Sequence, residues 1–241
     1  MSDELLRSHH GPVTRLTLNR PQKANALSAT LVEALLDAVE YAATDGTRLL
    51  ILEGAGRHFC AGFDFGDLAT LSDGDLALRF IRIEMLLQAL HHAPHATLAL
   101  AQGRVFGAGA DLVACCGRRI ATPDATFRMP GLRFGVVLGT RRLAAMIGTD
   151  RARDILGSSR AFDADEALAC GFLTAVAPQD EWPAAAEAAR IAALTLSPPA
   201  AAALLRRSQP DTRGEDMAEL ARSVAAPGLK ERIRRYRESG S

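Results

Sequence analysis

The segment of the sequence with the clearest chemical potential is GRVFGAGADLV, residues 103–113, which combines three glycines with one acidic residue. The acid, Asp111, lies three positions after Ala108, and residues three apart share one face of a helix. In such small and apolar surroundings a carboxylate can act as a general acid or base, because burial tunes its pKa. The alternative is a structural acid in the first turn of a helix, where the helix dipole stabilises negative charge.

A phosphate-binding loop is another interpretation of glycine-rich segments, and the spacing disfavours it. A dinucleotide fingerprint needs three glycines in the pattern GxGxxG. Here Gly107 and Gly109 are followed by Leu112 at the position of the third glycine, and an earlier glycine pair fails in the same way. The sequence also contains no HExxH, no CxxC pair and no GxSxG, so neither a protein-built metal site nor a serine-nucleophile elbow is predicted.

Composition narrows the class of partner. The 28 basic and 28 acidic residues among 241 cancel, and aromatic residues make up only 5%, so a nucleic-acid partner is not expected. The most apolar stretch, residues 96–116, is interrupted by Gln102, Arg104 and Asp111, which disfavours a membrane span. The N-terminal residues lack the apolar run of a secretory signal, and the four cysteines are typical of free thiols. We therefore expect a cytoplasmic protein.

The elements that must position Asp111 follow from the apolar periodicity. Alternating residues predict a strand over residues 13–18, and Ser28 is a good N-cap for the amphipathic helix after it. Apolar runs predict buried strands at residues 48–53 and 96–101. Strands that alternate with helices favour an α/β fold with a largely parallel sheet, and the last third of the chain is predicted to be helical.

Several segments, taken together and in order, resemble the enoyl-CoA hydratase/isomerase (crotonase) superfamily. The match runs over residues 16–178, and the two glycine-rich loops at residues 54–67 and 103–111 make it specific. The matching segments are LTLNRPQKANALS at residues 16–28, LLILEGAGRHFCAGFDFGDL at 49–68, ALAQGRVFGAGADLVACCGRRIAT at 99–122, ATFRMPGLRFGVVLGTRRLAAMIG at 125–148 and AFDADEALACGFLTAVAP at 161–178.

The resemblance implies an architecture and an assembly. The expected fold is an α/β, crotonase-like spiral of β-β-α units followed by a C-terminal helical trimerisation region. On this basis residues 1–190 are assigned to the spiral core and residues 191–241 to a helical region of the same domain that serves assembly. A homotrimer or a dimer of trimers is expected.

The resemblance also assigns roles to residues. The backbone N–H groups of Phe63 and Ala108 match the oxyanion hole that stabilises a thioester enolate, and Asp111 matches one of the two hydratase glutamates. The substrate is expected to be an acyl-CoA, with no metal and no separate cofactor, because CoA arrives as part of the substrate. The CoA thioester contacts implied in this way lie at Lys23, Ala24, Ala61, Phe63, Asp64 and Ala108.

The chain departs from the family pattern at the position of the second hydratase glutamate, which is Gly131. Addition of water in this family normally uses two carboxylates, and glycine cannot transfer a proton. Enoyl-CoA hydratase or isomerase chemistry is therefore the leading expectation, with efficient hydration disfavoured. The alternatives are an isomerase that uses Asp111 alone, and a degenerate member that binds acyl-CoA without turnover.

Overall fold

Parallel strands form the centre of the molecule. The computed structural model of the chain describes residues 4–239, where the strands form a six-stranded sheet and a three-stranded sheet. The strands are β1 Leu5–His10, β2 Val13–Leu18, β3 Leu49–Gly54, β4 Ala96–Ala101, β5 Arg104–Phe106, β6 Arg118–Ala121, β7 Thr126–Arg128, β8 Phe162–Asp163 and β9 Ala175–Val176. The larger sheet has the order β1-β2-β3-β4-β6-β9 and the smaller one β5-β7-β8. Only the β1–β2 and β7–β8 pairs are antiparallel, which confirms the predicted largely parallel arrangement.

The described chain also contains helices, which lie between the strands and after the last of them. They are α1 Ala29–Ala42, α2 Asp73–His91, α3 Ala108–Ala114, α4 Thr140–Ile147, α5 Thr149–Ser158, α6 Ala164–Ala169, α7 Trp182–Leu194, α8 Pro198–Ser208, α9 Arg213–Ala225 and α10 Leu229–Glu238. The side chain of Ser28 accepts a hydrogen bond from the backbone of Leu31 and so caps α1, as the sequence predicts. A second capping interaction starts α2, where Ser72 and Asp75 bond reciprocally.

The chain is built from β-β-α units, and the second β segment of each unit is short. In one unit β4 is followed by β5 and α3, and in the next β6 is followed by β7 and then α4. The earlier units reduce this second segment to single parallel bridges, which join Leu27 to Phe63 and Cys60 to Val105. These bridges place the loop around residue 62 directly beside the start of α3.

The large sheet is buried on both faces. Along β3, Leu50 and Leu52 contribute to the main core, whereas Leu49 and Ile51 pack on the opposite face with Trp182 of α7. Both sets of side chains are almost completely buried. Alternating side chains therefore enter two different cores, which explains why β3 reads as a continuous apolar run in the sequence.

The C-terminal helices fold back onto their own chain. Helix α7 crosses residue 190, so the boundary that was assigned between residues 190 and 191 falls inside a single helix. Leu220 and Val224 of α9, and Leu229 and Ile233 of α10, are buried in the main core. These two helices therefore complete the core of this chain as well as being candidates for assembly.

No single helix in residues 4–239 combines the length and the apolar composition needed to cross a membrane. Residues 179–194 and 198–208 meet that criterion only when they are counted together, and the pair is bent by 100°.

Two helical glycines give a matched test of the packing between the loops. A Cβ atom on Gly109 would lie 2.6 Å from the backbone oxygen of Cys60, whereas a Cβ atom on Gly157 would have no atom within 4 Å. We expect Gly109→Ala to lower the free energy of unfolding by about 1–3 kcal/mol through overpacking. We expect Gly157→Ala to raise it by about 0.4–1 kcal/mol.

Chemical denaturation of both variants measures this difference. Equal effects of the two substitutions would contradict the close approach of α3 to the Cys60 loop.

Candidate active site

A cavity of about 390 Å³ lies beside the start of α3. Its size and mainly apolar lining are typical of sites for small organic ligands. Two polar side chains from consecutive parts of the fold, Asp111 of α3 and Thr140 of α4, also reach its wall. Its aromatic lining comes from Phe63, Phe65, Phe80, Phe106, Phe134 and Tyr236.

The two glycine-rich loops meet at one end of this cavity. A Cβ atom on Gly62 would lie 2.6 Å from the backbone oxygen of Phe106 and 3.3 Å from the backbone nitrogen of Ala108. Gly62 has φ +85°, so glycine serves both the close approach and the left-handed backbone conformation. The contact brings the loop that carries Phe63 next to the backbone of Ala108.

The backbone N–H groups of Phe63 and Ala108 take no part in the bridge or the helical hydrogen bonds beside them. Leu27 bonds to the oxygen of Gly62 and to the nitrogen of Asp64, so the intervening N–H of Phe63 faces the opposite side of that pairing. Ala108 is the first residue of α3, where an N–H has no partner within the helix. Both residues line the cavity.

Asp111 is buried in the first turn of α3, with only 4% of its surface exposed. Its carboxylate lies directly against Gly139, where a Cβ atom would be 1.8 Å from Oδ1. Within residues 4–239, this oxygen has no hydrogen-bond partner. Burial raises the pKa of Asp111 to about 8; Arg142 acts in the opposite direction and Glu84 adds to the increase. The pKa is raised although a helix N-terminus by itself would lower it, so burial outweighs the helix dipole at this position.

A buried ion pair near Asp111 explains why Arg142 does not act as its counter-ion. The guanidinium of Arg142 donates two hydrogen bonds, of 2.9 Å and 2.6 Å, to the carboxylate of Glu84 on α2. Asp216 of α9 is 3.7 Å from the same guanidinium. The positive charge is therefore already compensated by carboxylates on two other helices, and Asp111 retains a strongly raised pKa.

The positions predicted to contact CoA lie in two groups. Ala61 lines the cavity, and its N–H donates a 2.9 Å hydrogen bond to the backbone oxygen of Ala24, beside the exposed Lys23. Asp64 does not line the cavity. Its carboxylate forms an ion pair with Arg20 at 2.8 Å and accepts a hydrogen bond from the backbone of Gly66.

The position of the missing acid, Gly131, is on the cavity wall. The backbone N–H of Val136 donates a 2.9 Å hydrogen bond to the oxygen of Gly131, which closes a tight turn. A Cβ atom on residue 131 would lie 3.0 Å from the backbone oxygen of Val136. A side chain would therefore be crowded by the turn itself.

Comparison with known proteins identifies the family. The sequence profile of the enoyl-CoA hydratase/isomerase family matches residues 8–223. The chain belongs to this family. The probable enoyl-CoA hydratase echA6 of Mycobacterium tuberculosis is 34% identical over 191 residues, which cover 76% of this chain and 75% of the relative. The 2,3-dehydroadipyl-CoA hydratase of Escherichia coli K12 is 32% identical over 182 residues, covering 73% and 70%.

Solved structures show the same fold. A Bordetella parapertussis structure described as an enoyl-CoA hydratase/isomerase superposes with a TM-score of 0.96 at 54% identity and covers 98% of both chains. The predicted crotonase fold, with β-β-α units and C-terminal helices, is thereby confirmed.

In this enoyl-CoA hydratase/isomerase family member, the structure brings together the predicted site residues Phe63, Ala108 and Asp111, and it places Gly131 on the same cavity. Sequence analysis missed Thr140 and the Glu84–Arg142 pair. Thr140 is the first residue of α4, directly after the N-cap Gly139. Glu84 and Arg142 are 58 positions apart in the sequence, so no local sequence pattern indicates that they pair.

The raised pKa of Asp111 predicts a stability effect of defined sign. The folded state binds the proton of this carboxyl more tightly than the unfolded chain, so stability falls as the pH rises from about 4 to about 8. We expect Asp111→Asn to remove this dependence. At pH 8 it should raise the free energy of unfolding by about 1 kcal/mol or more, which for a chain of this size raises Tm by roughly 2–4 °C per kcal/mol.

Asp64 provides the control of opposite sign. Burial favours its neutral form, but Gly66 and Arg20 outweigh this and lower its pKa. Asp64→Asn should therefore lower Tm at pH 7. Melting temperatures of both variants between pH 5 and 8 test these opposite changes in stability. A loss of stability in Asp111→Asn at pH 8 would contradict the assignment of Asp111 as a buried, unpartnered carboxylate.

Proposed function

We propose that this chain converts enoyl-CoA thioesters through an enolate, with Asp111 as the single acid–base group. The observation that supports this most strongly is the buried, unpartnered carboxylate of Asp111 on an apolar cavity. In this proposal the backbone N–H groups of Phe63 and Ala108, which line the same cavity, act as a pair of donors. A carboxylate that transfers protons beside a pair of oxyanion donors is the arrangement that enolate chemistry requires.

The oxyanion donors polarise the thioester. The thioester oxygen accepts hydrogen bonds from the N–H groups of Phe63 and Ala108, and these bonds strengthen as the oxygen becomes negative. The donors belong to a rigid loop contact and to a helix start, so they need little reorganisation during the reaction. The phenyl ring of Phe63 stacks on Phe80 with ring centroids 4.4 Å apart, which further fixes this backbone position.

One carboxylate is sufficient for movement of a double bond. The carboxylate of Asp111 removes a proton from C2 of a 3-enoyl thioester, and the electron pair of the C–H bond enters a dienolate whose charge lies on the thioester oxygen. The carboxyl group then returns the proton to C4 while the double bond forms between C2 and C3. No atom is gained or lost, and Asp111 ends as a carboxylate.

CoA binding and assembly are parts of the same proposal. Lys23, Ala24 and Ala61 form a continuous edge that leads to the donor pair, which suits the nucleotide and pantetheine portions of CoA. The aromatic walls then surround the acyl group. We also propose a homotrimer or a dimer of trimers, formed through the C-terminal helices, in the cytoplasm.

Substitution of Asp111 tests the assigned reaction. We expect Asp111→Asn to lower kcat for the isomerisation of a 3-enoyl-CoA by about 10²–10⁴-fold, because the amide cannot accept the proton. The Kd for acyl-CoA should change by less than about threefold, because the contacts to CoA remain. Kinetic assays with crotonyl-CoA and 3-enoyl-CoA thioesters, together with calorimetric binding, provide both measurements.

Asp165→Asn is the matched control. Asp165 is also an acid in the first turn of a helix, but it is exposed and does not line the cavity. The substitution Asp165→Asn should therefore leave kcat for isomerisation unchanged. The wild-type chain could bind crotonyl-CoA and 3-enoyl-CoA thioesters without converting either of them. If Asp111→Asn then behaves in the same way, the chain is a non-catalytic acyl-CoA-binding protein toward these thioesters.

The pH dependence of isomerisation follows from the same carboxyl group. Asp111 must be ionised to accept a proton, and its pKa is raised to about 8. We expect kcat/KM to increase about tenfold per pH unit below pH 8 and to level off above it, since kcat/KM reports groups in the free enzyme. Steady-state assays between pH 6 and 9 check this, and a level or falling profile would exclude Asp111 as the base.

A further inference from the structure

A charged side chain on α2 holds the loop that carries Phe63. Arg79 is half-buried, and its Nη1 donates a 3.1 Å hydrogen bond to the backbone oxygen of Asp64. Its Nη2 donates a 3.0 Å hydrogen bond to the backbone oxygen of Leu27. Hydrogen bonds from an ionised donor are stronger than those between neutral groups, and the planar guanidinium fixes its two acceptors relative to each other.

Both acceptors belong to the bridge on either side of Phe63. The N–H of Leu27 donates a 2.7 Å hydrogen bond to the oxygen of Gly62, and the N–H of Asp64 donates a 3.2 Å hydrogen bond to the oxygen of Leu27. In a trans peptide the C=O and N–H groups point in opposite directions. The bond to the oxygen of Gly62 therefore also sets the direction of the Phe63 N–H, and Arg79 holds the other half of this bridge.

Arg79 also contacts the side chain of Phe63. Its Cζ lies 4.2 Å from the centroid of the Phe63 ring, which is within the range of a cation–π interaction. The same ring lies 5.0 Å from the ring of Phe65 and stacks on Phe80, and only 7% of Phe63 is exposed. Arg79 thus restrains both the backbone and the side chain at this position.

The surroundings of Arg79 differ from those of the next arginine on the same face of α2. Burial lowers the pKa of Arg79, while Asp64 and Asp67 act in the opposite direction. A partly buried charge is unfavourable unless hydrogen bonds compensate for it, and here backbone oxygens of the loop do so. Arg82, three residues later, instead donates a 2.7 Å hydrogen bond from Nε to the carboxylate of Glu33 on α1.

We propose that Arg79 is a positioning residue that fixes the direction of the Phe63 N–H toward the enolate oxygen. It acts through the backbone of Leu27 and Asp64 and through the Phe63 ring, and it is not among the described residues that line the cavity. The inference rests on the proposed function, because it concerns one of the two oxyanion donors. A misdirected donor weakens the bond most where the negative charge develops, so the loss falls on the transition state.

Removal of the guanidinium tests this role. Arg79→Met keeps an unbranched side chain but has no charge and no donor. We expect it to lower kcat for isomerisation of a 3-enoyl-CoA by about tenfold, less than the roughly 10²–10³-fold cost of losing an oxyanion donor entirely. KM should change by less than about threefold, because the contacts to CoA remain. Steady-state kinetics well below the Tm of every variant measure this split.

Two further variants make the test specific. Arg82→Met removes the neighbouring arginine, whose partner is on α1, and should leave both kcat and KM unchanged. Arg79→Lys keeps the charge but lacks the planar fork that reaches two carbonyls, so its kcat should lie between those of Arg79→Met and the wild type. If Arg79→Met does not fold, Arg79→Lys still decides the question, since wild-type behaviour of this variant would contradict the two-carbonyl contact.

The carbonyl stretch of a bound thioester measures the donors without any turnover. The probe is butyryl-CoA labelled with carbon-13 at the thioester carbon, which has no double bond to move. Hydrogen bonds from Phe63 and Ala108 polarise the carbonyl and lower its infrared stretching frequency relative to the probe in water. We expect this shift in the wild type and in Arg82→Met, and a smaller shift in Arg79→Met. An arginine needed only for folding would leave the shift of the folded protein unchanged.

The outcomes separate this inference from the proposed function. A wild-type carbonyl shift and kcat in Arg79→Met, or an equal loss in Arg82→Met, would overturn the positioning role while leaving the Asp111 reaction intact. An increase in KM at constant kcat would overturn it as well, because it would indicate a binding role. A wild-type chain that shifts the carbonyl but converts no enoyl thioester would overturn the proposed reaction, and the shift in Arg79→Met would still decide the positioning role. A wild-type chain without any shift would overturn both.

Discussion

The candidate site depends on the burial of one carboxyl group, Asp111, whose charge the surrounding residues compensate only in part. Asp111 is enclosed by α3, the start of α4 and the aromatic wall, with an unpartnered Oδ1. The nearby cation, Arg142, is bonded to Glu84 and so provides only partial compensation. Removing a carboxylate from water without a partner is unfavourable, and the extensive apolar core offsets the cost. This cost to stability is the basis of the acid–base role that we propose for Asp111.

The β-β-α architecture holds this group in place. Parallel strands of the large sheet end near the second, smaller sheet, and the bridges at Leu27–Phe63 and Cys60–Val105 join successive units. The glycines at positions 62 and 109 allow these units to touch through their backbones. As a result, a loop and a helix that are more than 40 residues apart in sequence supply neighbouring N–H groups.

The segment from Gly131 to Gly139 connects the position of the missing acid with the surroundings of Asp111. At its first end, the bond from Val136 to the oxygen of Gly131 crowds any side chain at residue 131. At its other end, Gly139 lies against the carboxylate of Asp111 and presents Thr140 to the cavity. The segment between residues 131 and 139 thus contributes both a position crowded by the backbone and the glycine that packs against Asp111.

The sequence by itself determined the features that depend on local patterns. Alternation and apolar runs predicted β2, β3 and β4, Ser28 predicted the start of α1, and the two glycine loops predicted the family and the position of Asp111. Only the tertiary structure decided the state of that acid, because its burial, its contact with Gly139 and the Glu84–Arg142 pair join residues from different helices. The continuation of α7 across residue 190 and the position of Thr140 on the cavity were likewise decided by the fold. Strand and cap signals arise from neighbouring residues, whereas a pKa or an unpartnered oxygen is set by whatever the folded chain brings around it.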